Sequence, residues 1–225
     1  MALASDVVAK ARKTLQDYDS DRWADADLLS FLNGGRRQYA IADPTAYSKS
    51  AVQDLVDGAE QQCPADCNVF YEVQATVDKV TGKDRNAVTV TQREYVDTFV
   101  PGWRSMKAAE TQHFMFGERL PTEFLVYPPA KAGDKVRLKY SANPADLALG
   151  DSLSSPESLQ FEALADYTVA RALLEDAESP ANQQRAVMHL QLFSAATGAD
   201  LSSLLKNSPN AANVGGRNPK VVTGQ

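Results

Sequence analysis

Two cysteines, two histidines and no long apolar run set the first limits on this chain of 225 residues. Cys63 and Cys67 are too few for a disulfide framework. Their CPADC spacing is not CxxC. A structural zinc needs four ligands, and His113 and His189 stand far away in sequence. The plain reading is two small, partly buried thiols at a strand start, with no metal. No stretch approaches the ~20 apolar residues that cross a bilayer. The opening MALASD has no basic region and no signal-like segment. The protein is therefore expected to be made and kept in a cytoplasm, with no membrane partner.

A basic stripe is also missing. Lys and Arg number 23 against 29 Asp and Glu, a net charge of −6. A simple nucleic-acid binder carries a patch that displaces counterions from phosphate. Arg36-Arg37 and the trio Lys135, Arg137 and Lys139 are the densest basic spots, and both read as solvated faces. Catalytic signatures are missing too: there is no GxGxxG, P-loop, HExxH or GxSxG. Asp25/Asp27 and Glu175/Asp176/Glu178 are acidic clusters at a helix start and a helix end, where capping and solvation explain them. No catalytic, cofactor-binding or metal-binding residue is expected.

What is present is alternation. Val136, Leu138 and Tyr140 point one way and Lys135, Arg137 and Lys139 the other, the period of two of a half-buried strand. Phe124–Tyr127 is an apolar run that Pro128-Pro129 should stop, because proline cannot donate to a ladder. Gly133-Asp134 turns the chain back. The expectation is a β-hairpin with a proline-braced, exposed loop, Pro128–Asp134. Cys67–Val77 and Ala87–Thr91 read as further strands, Gln92–Phe99 as a short helix, and Phe114–Phe116 as a strand start. Short strands separated by turns suggest a small sandwich or barrel.

Helical patterns flank this region. Val8, Ala11 and Leu15 form one stripe; Leu28, Leu32, Gly35 and Tyr39 form another, after Asp25 as a cap. Gly34-Gly35 inside a helix costs roughly 1 kcal/mol each against alanine, so close helix–helix approach is expected there. Asp43-Pro44 ends that helix. Ser155-Pro156-Glu157 and Ser179-Pro180 are start signals for two more, and Gly198 fits a C-terminal cap. The fold class is thus α+β. An antiparallel helical bundle (1–49 and 147–206) carries an inserted small β-sandwich or barrel (50–146). Residues 207–225, rich in Asn, Gly and Pro, form an extended C-terminal arm with almost nothing to bury. Trp23 reads as core. Trp103, after Pro101-Gly102, is open between core and interface anchor.

The order of these pieces resembles a family of tailed-bacteriophage head-to-tail adaptor (connector) proteins. Trp23, Leu28-Leu29 and Phe31–Asn33 match its first helix pattern. Gly58–Gln61 and Pro64–Asp66 match its entry into the β region. Val100–Trp103, Phe124–Pro129 and two C-terminal helices follow in order. Cys63 and Cys67 depart from the pattern, which has aliphatic or small residues there.

The resemblance implies a structural virion protein at the head-tail junction. Twelve copies would form a ring beneath the portal protein and extend the DNA channel. A downstream tail or nozzle protein would dock below. Double-stranded DNA would pass through the lumen without specific binding, aided by the mild negative charge. On this reading Arg217, Asn218, Lys220, Val221 and Val222 of the arm dock on the portal, with Val221-Val222 adding a strand edge to a partner sheet. Trp103, Pro128, Pro129, Lys131 and Asp134 form a tail or subunit interface. The alternatives are an enzyme using scattered carboxylates, and a soluble ligand- or peptide-binding β module with no virion role.

Overall fold

The structure, a computed structural model, describes residues 2–117, 120–175 and 180–202. Among these the elements run α1 (Ala4–Leu15), α2 (Asp25–Ala42), β1 (Ser48–Asp54), β2 (Gly58–Gln62), β3 (Cys67–Val77), β4 (Asp84–Ala87), β5 (Thr89–Val90), α3 (Arg93–Phe99), β6 (His113–Phe116), β7 (Glu123–Ala130), β8 (Lys135–Ala142), α4 (Ser155–Leu159), α5 (Phe161–Glu175) and α6 (Pro180–Thr197). The protein is α+β. It divides into two compact units: Met1–Asp43 with the described residues from Ala145, and Pro44–Pro144. A proline stands at each crossing. Proline bars the preceding residue from helix, so α2 ends at Ala42 with Asp43 already outside it.

In the helical unit α5 is the hub, packed against α1, α2 and α6. It is buried nearly all round, from Ala163 to Leu174, as an apolar helix at the centre of a unit must be. Trp23 is core, clustered with Val8, Leu28 and Ala172. The glycine pair does permit close approach: a Cβ on Gly35 would lie 2.9 Å from Tyr167 Cδ1. Three local readings shift. Ala24, not Asp25, holds the cap position of α2, and the Asp25 carboxylate instead accepts from Arg12 at 2.6 Å. Ser154, not Ser155, precedes α4, and its N–H donates to Glu157 Oε2 at 2.7 Å. The helix after Leu153 is broken at Gln160 into α4 and α5. Gly198 ends α6 with φ +76°, while Ser179 lies outside the described residues.

The β unit holds two four-stranded sheets, ordered β1-β8-β3-β4 and β2-β7-β6-β5. Their shared core includes Phe70, Val73, Leu138 and Tyr140 from the first and Phe114, Phe124 and Val126 from the second. The alternation in β8 holds, with Val136, Leu138 and Tyr140 buried. Its neighbour β3 does not alternate. Cys67, Phe70, Val73 and Thr76 are buried at three-residue steps, opposite Ala142, Tyr140, Leu138 and Val136. Three register shifts explain this. Each bulge inserts one residue, so three residues of β3 match two of β8.

The expected hairpin is not formed. β7 and β8 follow each other in sequence but lie in different sheets. The 131–134 turn therefore carries the chain from one sheet to the other. The prolines do not stop β7 either; it runs through both to Ala130, with a cis bond at Tyr127–Pro128. They sit where no N–H is required. Pairing with β6 ends at Tyr127, and the β2 register breaks between Gly58 and Glu60, opposite this stretch. The Pro129 carbonyl still accepts, from Ala109 N at 3.0 Å.

Candidate functional site

The residues expected at an interface separate on inspection. Lys131 is exposed at the 131–134 turn, and Asp134 is half-buried. The turn closes on itself. Asp134 N–H donates to Lys131 O at 3.0 Å, and Lys131 N–H donates to Asp134 Oδ2 at 3.1 Å. Gly133 takes φ +80°, which suits glycine, and its N–H donates to Leu55 O at 2.9 Å. Asp134 Oδ1 also pairs with Lys79 at 2.7 Å. Asp134 thus holds the turn's shape, while the Lys131 ammonium has no ion-pair partner among the described residues.

Pro128 is half-buried and Pro129 buried, both in β7 rather than in a loop. Trp103 is core, not a surface anchor: 1% exposed and packed with Ala59, Val96, Met115 and Leu125. Its Nε1 donates to Asp97 at 2.7 Å, and that bond, with Arg104 and Arg93 alongside, holds the Asp97 carboxyl below its ordinary range. The arm residues Arg217, Asn218, Lys220, Val221 and Val222 lie outside the described residues.

The basic trio is a surface face tied to acids. Lys135 pairs with Asp54 at 2.7 Å and Arg137 with Asp84 at 2.8 Å, while Lys139 is exposed. Lys49 and Tyr140 both donate to Asp66, at 2.7 and 3.0 Å. Burial alone would raise the Asp66 carboxyl, but those two hydrogen bonds outweigh it and lower it. Both cysteines are free. Burial, reinforced by Cys67, pushes the Cys63 thiol well above its ordinary value, so it stays protonated. His113 Nδ1 shares a hydrogen bond with Thr89 at 2.7 Å. His189 is buried, with Nδ1 2.8 Å from Asp166.

Sequence reasoning missed a polar latch in the helical unit. Arg36 and Glu157 are both buried and meet at 2.6 Å. Arg36 also donates to Asn33 Oδ1 at 3.0 Å and to Ala145 O at 2.6 Å. Asn33 brackets the Leu147 backbone, accepting from its N–H at 3.0 Å and donating to its C=O at 3.1 Å. Next to it Arg37 pairs with Asp146. One face of α2 thus grips residues 145–147 where the chain re-enters the unit. The spacing contained the signal: Leu28, Leu32 and Arg36 lie at i, i+4 and i+8, on one buried stripe. Arginine on such a stripe calls for a buried carboxylate.

Chemically, this is a set of positioning and contact groups. Among the described residues no cluster of three or more His, Cys, Asp or Glu is arranged to hold a metal, and no helix is long and apolar enough to cross a membrane. The β unit has a cleft of about 780 Å³ between β2, β7 and α3. Its two arginines, Arg93 and Arg104, are both engaged by Asp97. A second cleft, of about 370 Å³, flanks the 131–134 turn. Two exposed aromatic rings stand on α3, Tyr95 and Phe99, 4.6 Å apart.

No curated protein matches the chain. The family model for the SU10 adaptor protein matches residues 2–216. A match over nearly the whole length, spanning both units and the segments that join them, shows that this chain belongs to the SU10 adaptor protein family, a family of phage head-tail adaptors.

Proposed function

We propose that this chain is a structural head-to-tail adaptor, with no catalytic role, that assembles as a ring of twelve copies beneath the portal. The ring extends the DNA channel and offers a platform for tail components. The family match over residues 2–216 carries this reading. The two-unit organisation supports it: a helical unit with its own core, and a β unit of two four-stranded sheets that share a core. The net charge of −6 suits a lumen through which the duplex slides without specific contact.

Within this reading the C-terminal arm docks on the portal. Residues Arg217, Asn218, Lys220, Val221 and Val222 make the contact, with Val221-Val222 pairing along an exposed strand edge. Ordering an arm costs roughly 1–2 kcal/mol per residue fixed. One arm binds weakly, and about a dozen in a ring bind together through effective concentration. The 131–134 turn meets a neighbouring copy or the next tail protein.

The decisive experiment mixes the purified chain with portal and reads particle mass and electron micrographs. Portal should template a ring of this chain. No mass gain on portal sinks the reading and favours a free-standing binding module. Truncation after Lys206 should leave melting and circular dichroism nearly unchanged while abolishing attachment. Full attachment without the arm moves the docking surface onto the helices.

A further inference from the structure

We propose that Cys63 and Cys67 are a reversible redox site, at which a small disulfide oxidant converts the two thiols into an intrachain disulfide that staples the crossover between the two sheets. The inference rests on the β unit alone and goes beyond the adaptor reading, so neither falls with the other.

The two residues are the chain's only cysteines, and both are free. Backbone bonds place them where the chain changes sheets. Cys63 follows β2, and its N–H donates to Thr122 O, just ahead of β7 in the same sheet, at 2.9 Å. Cys67 opens β3 in the other sheet, opposite Ala142 of β8. Between them the chain makes one tight turn, closed by Cys67 N–H donating to Pro64 O at 2.9 Å. Cys67 belongs to the core that the sheets share, and Cys63 packs against that core. The two thiols hydrogen-bond to each other. A disulfide needs its sulfurs about 2 Å apart. In a pair already in contact, side-chain rotation closes the remaining distance.

Access divides the roles. Cys63 is half-buried and lines the cleft of about 780 Å³ between β2, β7 and α3. Cys67 lies beneath it, 7% exposed. A small disulfide entering the cleft therefore meets Cys63 first. The Cys63 thiolate attacks one sulfur of the oxidant and forms a mixed disulfide, and half of the oxidant leaves as a thiol. Cys67 then gives up its proton and attacks Cys63 Sγ. The bond to the second half breaks, and that half leaves as another thiol. Two protein thiols are oxidised to one disulfide, and one disulfide is reduced to two thiols that carry off the two protons.

Burial pushes both thiols above their ordinary range, so they stay protonated near neutrality and exchange is slow. A reducing compartment holds the pair open, and the closed form belongs outside one. Closure adds a second covalent link to the turn that joins β2 of one sheet to β3 of the other. Reduction releases it.

The test takes the purified full chain, reduced and freed of reductant, and adds the aromatic disulfide dithiodipyridine under native conditions. Mass spectrometry of the intact chain and of its peptides reads the product. The expected result is a Cys63–Cys67 disulfide with no reagent retained, reversed by dithiothreitol. Cys67→Ser should stop at an adduct on Cys63. In Cys63→Ser, Cys67 should react many-fold more slowly than Cys63 does in the parent. Hydrogen exchange at the Cys63 and Cys67 N–H groups should slow several-fold on closure. Where a serine variant does not fold, the product formed by the parent decides. An adduct that persists on the native parent, a disulfide between chains, or reaction of Cys67 before Cys63 overturns the inference. So does closure no faster than global unfolding of the chain. Exchange at those two N–H groups that is unchanged or faster in the closed form overturns the staple.

Discussion

The two units solve the burial of charge in opposite ways. The helical unit places an ion pair inside, with Arg36 and Glu157 both buried. The β unit keeps its interior apolar, from Phe70 and Val73 to Leu138 and Val126. Its ion pairs stay at the rim, as with Lys135–Asp54 and Arg137–Asp84. The difference follows from what each must join. Two sheets present broad apolar faces that match without direction. The helical unit must fix a returning strand of backbone, residues 145–147, against the flank of a helix, and only directional polar bonds set that position.

The largest expected effect breaks the latch. Glu157→Ala leaves the Arg36 charge buried and unpaired, which costs about 3–5 kcal/mol. Hydrogen exchange should show the loss in α2 and α5 while β3 and β8 keep their protection. Equal loss in both units would mean that they unfold as one, and the contrast drawn here would fall. The double change Arg36→Met with Glu157→Leu should recover part of the stability: it removes the unpaired charge but leaves Asn33 Oδ1, the Ala145 carbonyl and the Ser154 N–H without these partners.

Next comes the apolar side of the comparison. Leu138→Ala empties a site between the sheets and costs about 2–5 kcal/mol, here with protection lost in β3 and β8 first. Gly35→Ala is smaller, about 1–3 kcal/mol, since the new methyl meets the buried Tyr167 ring at 2.9 Å. Thermal melting of Gly35→Ala beside Gly34→Ala checks it. At Gly34 the nearest ring atom is 3.7 Å away and there is room, so the Gly34 variant should melt no lower than the parent.

Acid sharpens the contrast further. Burial works to raise the Asp17 carboxyl, but the N–H groups of Arg22 and Trp23 and the Arg12 guanidinium outweigh it, and the carboxyl sits below its ordinary 3.8. A group depressed in the folded state stabilises fully above its unfolded value, and that contribution is lost as pH falls through the folded value. The melting-point gap between the parent and Asp17→Asn should therefore be constant near neutrality and close below about pH 3.8. A gap that widened on acidification would reverse the sign. Smallest of all is Lys135→Gln at the rim, expected to change stability by less than about 1 kcal/mol and to be masked by salt.

Much of this was legible in the chain. The span of β3, the short α3 after Gln92, the break at Asp43-Pro44 and the close approach at Gly34-Gly35 all follow from local chemistry. Trp103 was not legible, because Pro-Gly before it signals a loop whether the ring then turns in or out. The interface residues divided for the same reason. Lys131 stands in a turn that Gly133 requires, whereas Pro128 and Pro129 lie inside a strand that tolerates them only because the neighbouring registers break there.

By itself the sequence determined the approximate spans of most elements, which strand alternates, and the family to which the order of these pieces belongs. Those properties depend on residues a few positions apart, through period, capping and proline geometry. Only the tertiary structure decided that β7 and β8 part into different sheets, that β3 buries every third residue, and that Arg36 finds Glu157 across 121 positions. Each of those depends on which distant surface is covered, and no local pattern encodes the identity of the residue on the far side.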